Sequence, residues 1–182
     1  MIDIESIIQK KAKDLRAIAD GLMKLHPIET KTFKFNTKIL NPESPPPEIV
    51  NDILTWEKKQ KSIFVYYLSL PEDANTETIH KKITTAKRMK IGERAYPRIN
   101  FPSKYLYVGS SRDFAKRVKE HLGYGYIKTY AMNIAFWCNG LDLDTEIVCL
   151  RYNPQIKKGI IQALEDGLWD HFQPLLGRQG VK

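Results

Sequence analysis

Hydrophobic positions along this chain fall into short periodic runs separated by polar and proline-rich stretches. Ile4, Ile7, Ile8, Leu15, Ile18, Ala19, Leu22 and Met23 recur at helical spacing and predict one amphipathic helix from near the start to about Lys24. Its apolar stripe has to dock, most simply on its own domain, because the repeat is too short for a coiled coil. In residues 26–47, which carry Pro27, Pro42 and Pro45-Pro46-Pro47, the stretch Lys31 to Leu40 alternates Phe33 and Phe35 with polar residues. That is the pattern of a short edge strand. The proline run then suits the first turn of a second helix, from Pro47 to about Lys59. Residues 1–60 read as an N-terminal accessory helical region without a catalytic constellation of its own.

The strongest strand is Ile63-Phe-Val-Tyr-Tyr-Leu-Ser-Leu70, apolar on both faces and stopped by Pro71. A charged stretch follows, about 71–103, in which Ile79, Ile83 and Ala86 mark a weak helical stripe. Tyr105 to Val108 reads as a strand, Gly109-Ser110-Ser111 as a turn, and the next residues as a helix to about Leu122, with Phe114, Val118 and Leu122 on its core face. Ser110, Ser111 or Asp113 is placed to cap that helix. Gly123 to Tyr126 reads as an aromatic turn. Thr129 to Trp137 is expected to be a buried helix, with a strand as the alternative, because short apolar runs fit both. Glu146 to Tyr152 is a strand ended by Asn153-Pro154, and Ile156 to Phe172 is the last helix, with Glu165 bordering its apolar stripe. The tail from Leu175 to Lys182 is expected to be irregular.

Charge changes this picture. The net charge of +8 is uneven: residues 1–60 hold 10 Lys/Arg and 9 Asp/Glu, so almost all of the excess lies in 61–182. Between His80 and Arg98 the chain carries Lys81, Lys82, Lys87, Arg88, Lys90, Arg94 and Arg98 against the single acid Glu93. Such a density of cations favours contact with phosphates, since binding a polyanion releases its counterions. No apolar run reaches the length of a membrane span, no secretory signal precedes residue 10, and Cys138 and Cys149 have no metal-type spacing. A soluble cytoplasmic protein with buried free thiols is the expectation.

The candidate chemistry centres on Tyr105 to His121. A strand-end tyrosine, a turn of small residues with Gly109 permitting close approach, and Arg117 and His121 at i and i+4 on the next helix make a plausible anion site. Tyr107-Val108-Gly109 with Arg117 and His121 resembles the second half of a GIY-YIG nuclease motif. Leu164-Glu165-Asp166-Gly167-Leu168, with Pro174 beyond it, resembles the acidic helix of the same family. The resemblance covers roughly residues 62–177. It implies an α/β (α+β) domain at 61–182 with a small three-stranded antiparallel sheet flanked by helices, the N-terminal helical extension at 1–60, and a basic insertion at about 71–103.

There are departures from the pattern. Phe64-Val65-Tyr66 stands where the family has Gly-Ile-Tyr, with Tyr67 as the adjacent alternative to Tyr66. The gap between the half-motifs is longer than the family's hairpin, and Gly177 lies where many members carry asparagine. The resemblance implies a divalent-metal-dependent DNA endonuclease, restriction-like or otherwise handling foreign DNA. The alternative is a nucleic-acid-binding module that keeps the fold without the chemistry. Phosphodiester hydrolysis needs an activated water, a cation on the phosphate and compensation of developing charge. The implied roles are Glu165 as ligand of Mg²⁺ (or Mn²⁺), Arg117 on the phosphate, Tyr66 or Tyr107 on the water, and His121 on a tyrosine, the phosphate or a proton. The seven cations of the insertion are the expected contacts to double-stranded DNA. A double-strand cutter would work as a homodimer, for which the first helix is the candidate contact.

Overall fold

The structure, a computed structural model, describes residues 3–180. Four strands, β1 (Glu29–Asn36), β2 (Ile63–Ser69), β3 (Tyr105–Ser111) and β4 (Asp144–Tyr152), form an antiparallel sheet in the order β1-β4-β2-β3. Five α-helices flank it among the described residues: α1 (Ile4–Met23), α2 (Ile49–Glu57), α3 (Thr76–Arg88), α4 (Phe114–Lys119) and α5 (Lys158–Phe172). The class is α+β, as expected, but the sheet has four strands where three were expected. The extra strand comes from the region read as accessory: β1 pairs with β4 from Glu29 opposite Arg151 to Asn36 opposite Asp144. Phe33 and Phe35 are the cause. Two residues apart on a strand, they share a face, and both are buried in the main core.

Alternation divides the sheet's side chains between two cores. Phe64, Tyr66 and Leu68 face the larger one, closed by residues of α2, α3 and α4. Ile63 and Val65 face the smaller one with Ile161, Leu164 and Leu168 of α5. The charged insertion is not an appendage, since Ile79, Ile83 and Ala86 of α3 are buried in the larger core. A buried cation also knits the N-terminal region in. Arg151 lies 4.0 Å from the Trp56 ring centroid and donates to the Trp56 carbonyl at 2.6 Å, while the Trp56 indole donates to Glu29 at 2.8 Å.

Two other expectations are corrected. Residues 131–135 and Trp137 are buried, but 129–137 form only one 3₁₀ turn, Ile134–Phe136. Side chains take the carbonyls a helix would use: Asn133, in a left-handed conformation (φ 53°), donates to the Ala131 carbonyl at 2.8 Å, and the Trp137 indole donates to that of Met132 at 2.9 Å. Gly109, Ser110 and Ser111 belong to β3 rather than to a turn, because they pair with Tyr66, Val65 and Phe64. The tail is irregular yet not loose. The Leu175 and Leu176 amides donate to the Tyr105 and Leu106 carbonyls at 2.8 and 3.0 Å, covering the free edge of β3. Val181 and Lys182, its last residues, lie outside the described ones.

Helix α1 docks on α5 where Ile18 and Gly21 meet Gly159 and Ile160, while Ile4, Ile7, Ile8 and Leu15 stay exposed. No helix among the described residues is long and apolar enough to cross a membrane.

Candidate functional site

Strand β3 delivers Tyr107, β2 delivers Tyr66, and α4 with the wide π-type turn after it (Glu120–Tyr124) delivers Arg117 and His121. The register explains why they meet. Gly109 lies opposite Tyr66 and Tyr107 opposite Leu68, so Tyr66 and Tyr107 project from neighbouring strands onto the same face. Their rings stack at 6.2 Å, and the His121 ring sits 4.3 Å from that of Tyr107. A side chain at position 109 has no room: a Cβ there would come within 2.6 Å of the Tyr107 ring and 3.2 Å of the Tyr66 hydroxyl. Gly177 (φ +101°) closes on the same ring, where a Cβ would stand 3.2 Å from it. Tyr67 points the other way and packs on Phe172 of α5, so Tyr66 is the tyrosine of the cluster.

Tyr66 and His121 are both 0% exposed, and the Tyr66 hydroxyl is 3.1 Å from His121 Nε2. The Met132 amide donates to His121 Nδ1 at 3.4 Å, which leaves the proton of a neutral ring on Nε2, donated to Tyr66. The ring is neutral because burial, and then the charge of Arg117, hold its pKa well below the ordinary value. Burial, and then Tyr107, push the Tyr66 hydroxyl well above its ordinary value, although Arg117 pulls the other way. Tyr66 is therefore a fixed, protonated phenol.

Arg117 donates to Glu120 at 2.9 Å and to the Tyr130 carbonyl at 3.0 Å, and it touches the Tyr107 hydroxyl at 3.5 Å. Burial alone would lower its pKa, but Tyr66, Tyr107 and Glu120 outweigh that and hold it above the ordinary value. These contacts engage three of the guanidinium's five N–H donors. Arg117 and Tyr107 open into a cleft of about 590 Å³, with Pro97, Arg98, Tyr130 and residues 177–180 around them. A larger cavity, of about 650 Å³, lies at Tyr67, Tyr105 and Glu146, away from this cluster.

Glu165 approaches from the opposite face. Ser110 lies opposite Val65, on the α5 side of the sheet, and its hydrogen bond partly offsets the rise in the Glu165 pKa that burial causes. Glu165 is not among the residues lining the cleft, yet its charge reaches Tyr66 and raises it slightly further. Among the described residues no three His, Cys, Asp or Glu side chains gather as a metal site. A lone half-buried carboxylate fits a hard cation that keeps most of its waters and takes phosphate oxygens, as Mg²⁺ does, rather than a fully protein-ligated ion.

The basic insertion divides. Lys82 donates to the Asn139 carbonyl at 2.8 Å, Lys87 to that of Pro97 at 2.7 Å, and Arg94 to that of Gly125 while stacking over Phe136. Those three serve the fold. Lys81, Arg88, Lys90 and Arg98 are exposed, and only Arg98 lines the cleft.

Sequence reasoning missed Glu120, which holds Arg117, and Glu57, which holds α4. Asp113 occupies the N-cap position of α4 without a side-chain cap bond; instead the Glu57 carboxylate of α2 accepts from the Phe114 and Ala115 amides at 2.9 and 2.7 Å. Glu120 carried a signal, three residues after Arg117 on one helical turn. Glu57 carried none, because the contact spans 57 residues. Compared with protein-family models, with curated proteins and with solved structures, the chain matches none of them.

Proposed function

We propose that this protein is a divalent-metal-dependent endonuclease of GIY-YIG type that hydrolyses phosphodiester bonds in DNA, restriction-like or otherwise directed at foreign DNA. The observation that carries the reading is the convergence of Tyr66, Tyr107, Arg117 and His121 from three separate elements around one basic cleft. Burial divides their labour. Tyr66 and His121 have no access to solvent, so they brace Tyr107 and Arg117 rather than meet water themselves. Tyr107 brings a hydroxyl to the cleft wall, where it can orient the attacking water or a phosphate oxygen. Arg117, in the wall of the cleft, compensates the charge that builds on the phosphate. Glu165, with Ser110 beside it, would hold Mg²⁺ or Mn²⁺. When bound, the ion supplies electrophilic stabilisation of the phosphate oxygens and of the leaving oxygen.

Incubating plasmid with the protein and Mg²⁺, beside Arg117→Ala and Glu165→Ala, tests the reading. Cleavage by the unaltered protein and its loss in both variants is expected; equal cleavage by all three removes the proposed site. A second reading, a nucleic-acid-binding module without hydrolysis, draws on the position of Glu165 across the sheet from Tyr107. Salt-dependent DNA binding with no nicking under any divalent metal would favour it.

A further inference from the structure

The loop that follows the cluster holds its backbone firmly and leaves its rings in water. The Arg94 side chain donates to the Gly125 carbonyl, the Ala95 amide to that of Ile127 at 2.9 Å, and the Thr129 amide to that of Tyr126 at 3.0 Å. Arg117 holds the Tyr130 carbonyl at 3.0 Å. Yet Tyr126 is 66% exposed and Tyr130 70% exposed. Phe101, at 89%, is the most exposed large hydrophobic among the described residues, and it follows Asn100, whose side-chain amide donates to the carbonyl of cleft-lining Gly177 at 3.0 Å. Single exposed apolar side chains are ordinary. An exposed ring on braced backbone in the wall of a cleft shared with Arg98, Arg117 and Arg178 is the arrangement that stacks nucleobases while cations follow the backbone.

We infer that Tyr130, in the wall of the cleft, is a stacking platform for unpaired bases. The substrate of the cleft is accordingly DNA whose bases next to the bound phosphate lie out of the helical stack: a single strand, a gap or a locally opened duplex. An intact duplex exposes no base faces to such rings, whereas a single strand exposes them all. The inference rests on the nucleic-acid reading of the cleft and narrows its substrate from double-stranded DNA to DNA unpaired at the site.

The test is binding without metal, in EDTA, of oligonucleotides carrying 2-aminopurine, whose fluorescence falls on stacking. Three forms are compared: single-stranded, gapped and fully paired. The unaltered protein is expected to quench and bind the first two and to bind the paired form at least tenfold more weakly. Tyr130→Ala should lose about tenfold in affinity for the single strand together with the quenching, and Tyr130→Phe should keep both. These side chains are exposed, so the variants fold. Equal binding by Tyr130→Ala, loss in Tyr130→Phe as great as in Tyr130→Ala, or preference for the paired form would each overturn the inference. Stacking without metal-dependent cleavage would sink the nuclease reading alone, and plasmid cleavage with ring-independent binding would sink the stacking platform alone. A protein that binds none of the three forms refutes both.

Discussion

Replacing Glu57 by alanine should loosen the helix that carries Arg117, although Glu57 lies far from it in sequence. Helix α4 is only six residues long and has no side-chain cap from its own N-cap residue. Both Glu57 carboxylate oxygens accept from its first two amides, at 2.9 and 2.7 Å. Their negative charge also opposes the positive end of the helix dipole. Loss of an ordinary N-cap side chain costs about 0.5–2 kcal/mol, and hydrogen bonds to a charged acceptor lie at the upper end of the net range. With two bonds lost from a half-buried carboxylate, we expect about 2 kcal/mol. At this chain length that corresponds to a fall in Tm of roughly 4–8 °C. Glu57→Gln keeps one acceptor oxygen and should fall about midway. Urea unfolding followed by circular dichroism gives the free energies, and hydrogen exchange at the Phe114 and Ala115 amides reports the local loosening. If Glu57→Ala unfolds within about 0.5 kcal/mol of the unaltered protein, with those amides equally protected, the cap is not what holds α4.

Two further outcomes follow from the tyrosine–histidine cluster. Gly109→Ala puts a methyl 2.6 Å from the Tyr107 ring and should cost about 1–3 kcal/mol by overpacking, read as a lower urea midpoint; an unchanged midpoint would mean that the ring has room to move. His121 is held neutral, with a folded pKa below its unfolded value of about 6.5. Its contribution to stability is therefore present above that pH and lost as the pH falls below it, whereas Glu165, raised by burial, acts in the opposite sense. The stability difference between the unaltered protein and His121→Gln should accordingly shrink from pH 8 to pH 5, and a constant difference would contradict the buried neutral ring.

Much of the fold was legible because its elements carry their own period. Ile79, Ile83 and Ala86 marked α3, and Phe114, Val118 and Leu122 marked the core side of the motif helix; all are buried. The single sheet was harder to see. Nothing within 29–36 indicates that it pairs with 144–152, since strand partners are chosen by packing across more than a hundred residues. Thr129 to Trp137 misled because hydrophobicity reports burial, not conformation, and the hydrogen bonds of Asn133 and Trp137 decide the backbone there. At the candidate site, the motif resemblance pointed to Tyr107, Gly109, Arg117 and His121, which the fold brings together, whereas the choice of Tyr66 over Tyr67 had to await the alternation of β2. Charge density does not distinguish Lys81, open to solvent, from Lys82, bound to the Asn139 carbonyl.

The arrangement around Arg117 explains why the cleft needs cations beyond its motif arginine. Arg117 is paired with Glu120, at 2.9 Å, so much of its charge is balanced before any ligand arrives. That pairing fixes the guanidinium plane, which favours orientation over attraction. Attraction must then come from cations that lack an acidic partner. Arg98 and Arg178 line the same cleft, and neither forms an ion pair among the described residues. The insertion and the tail thus each bring one arginine to the mouth, while on the nuclease reading Arg117 is left to orient a phosphate already in place.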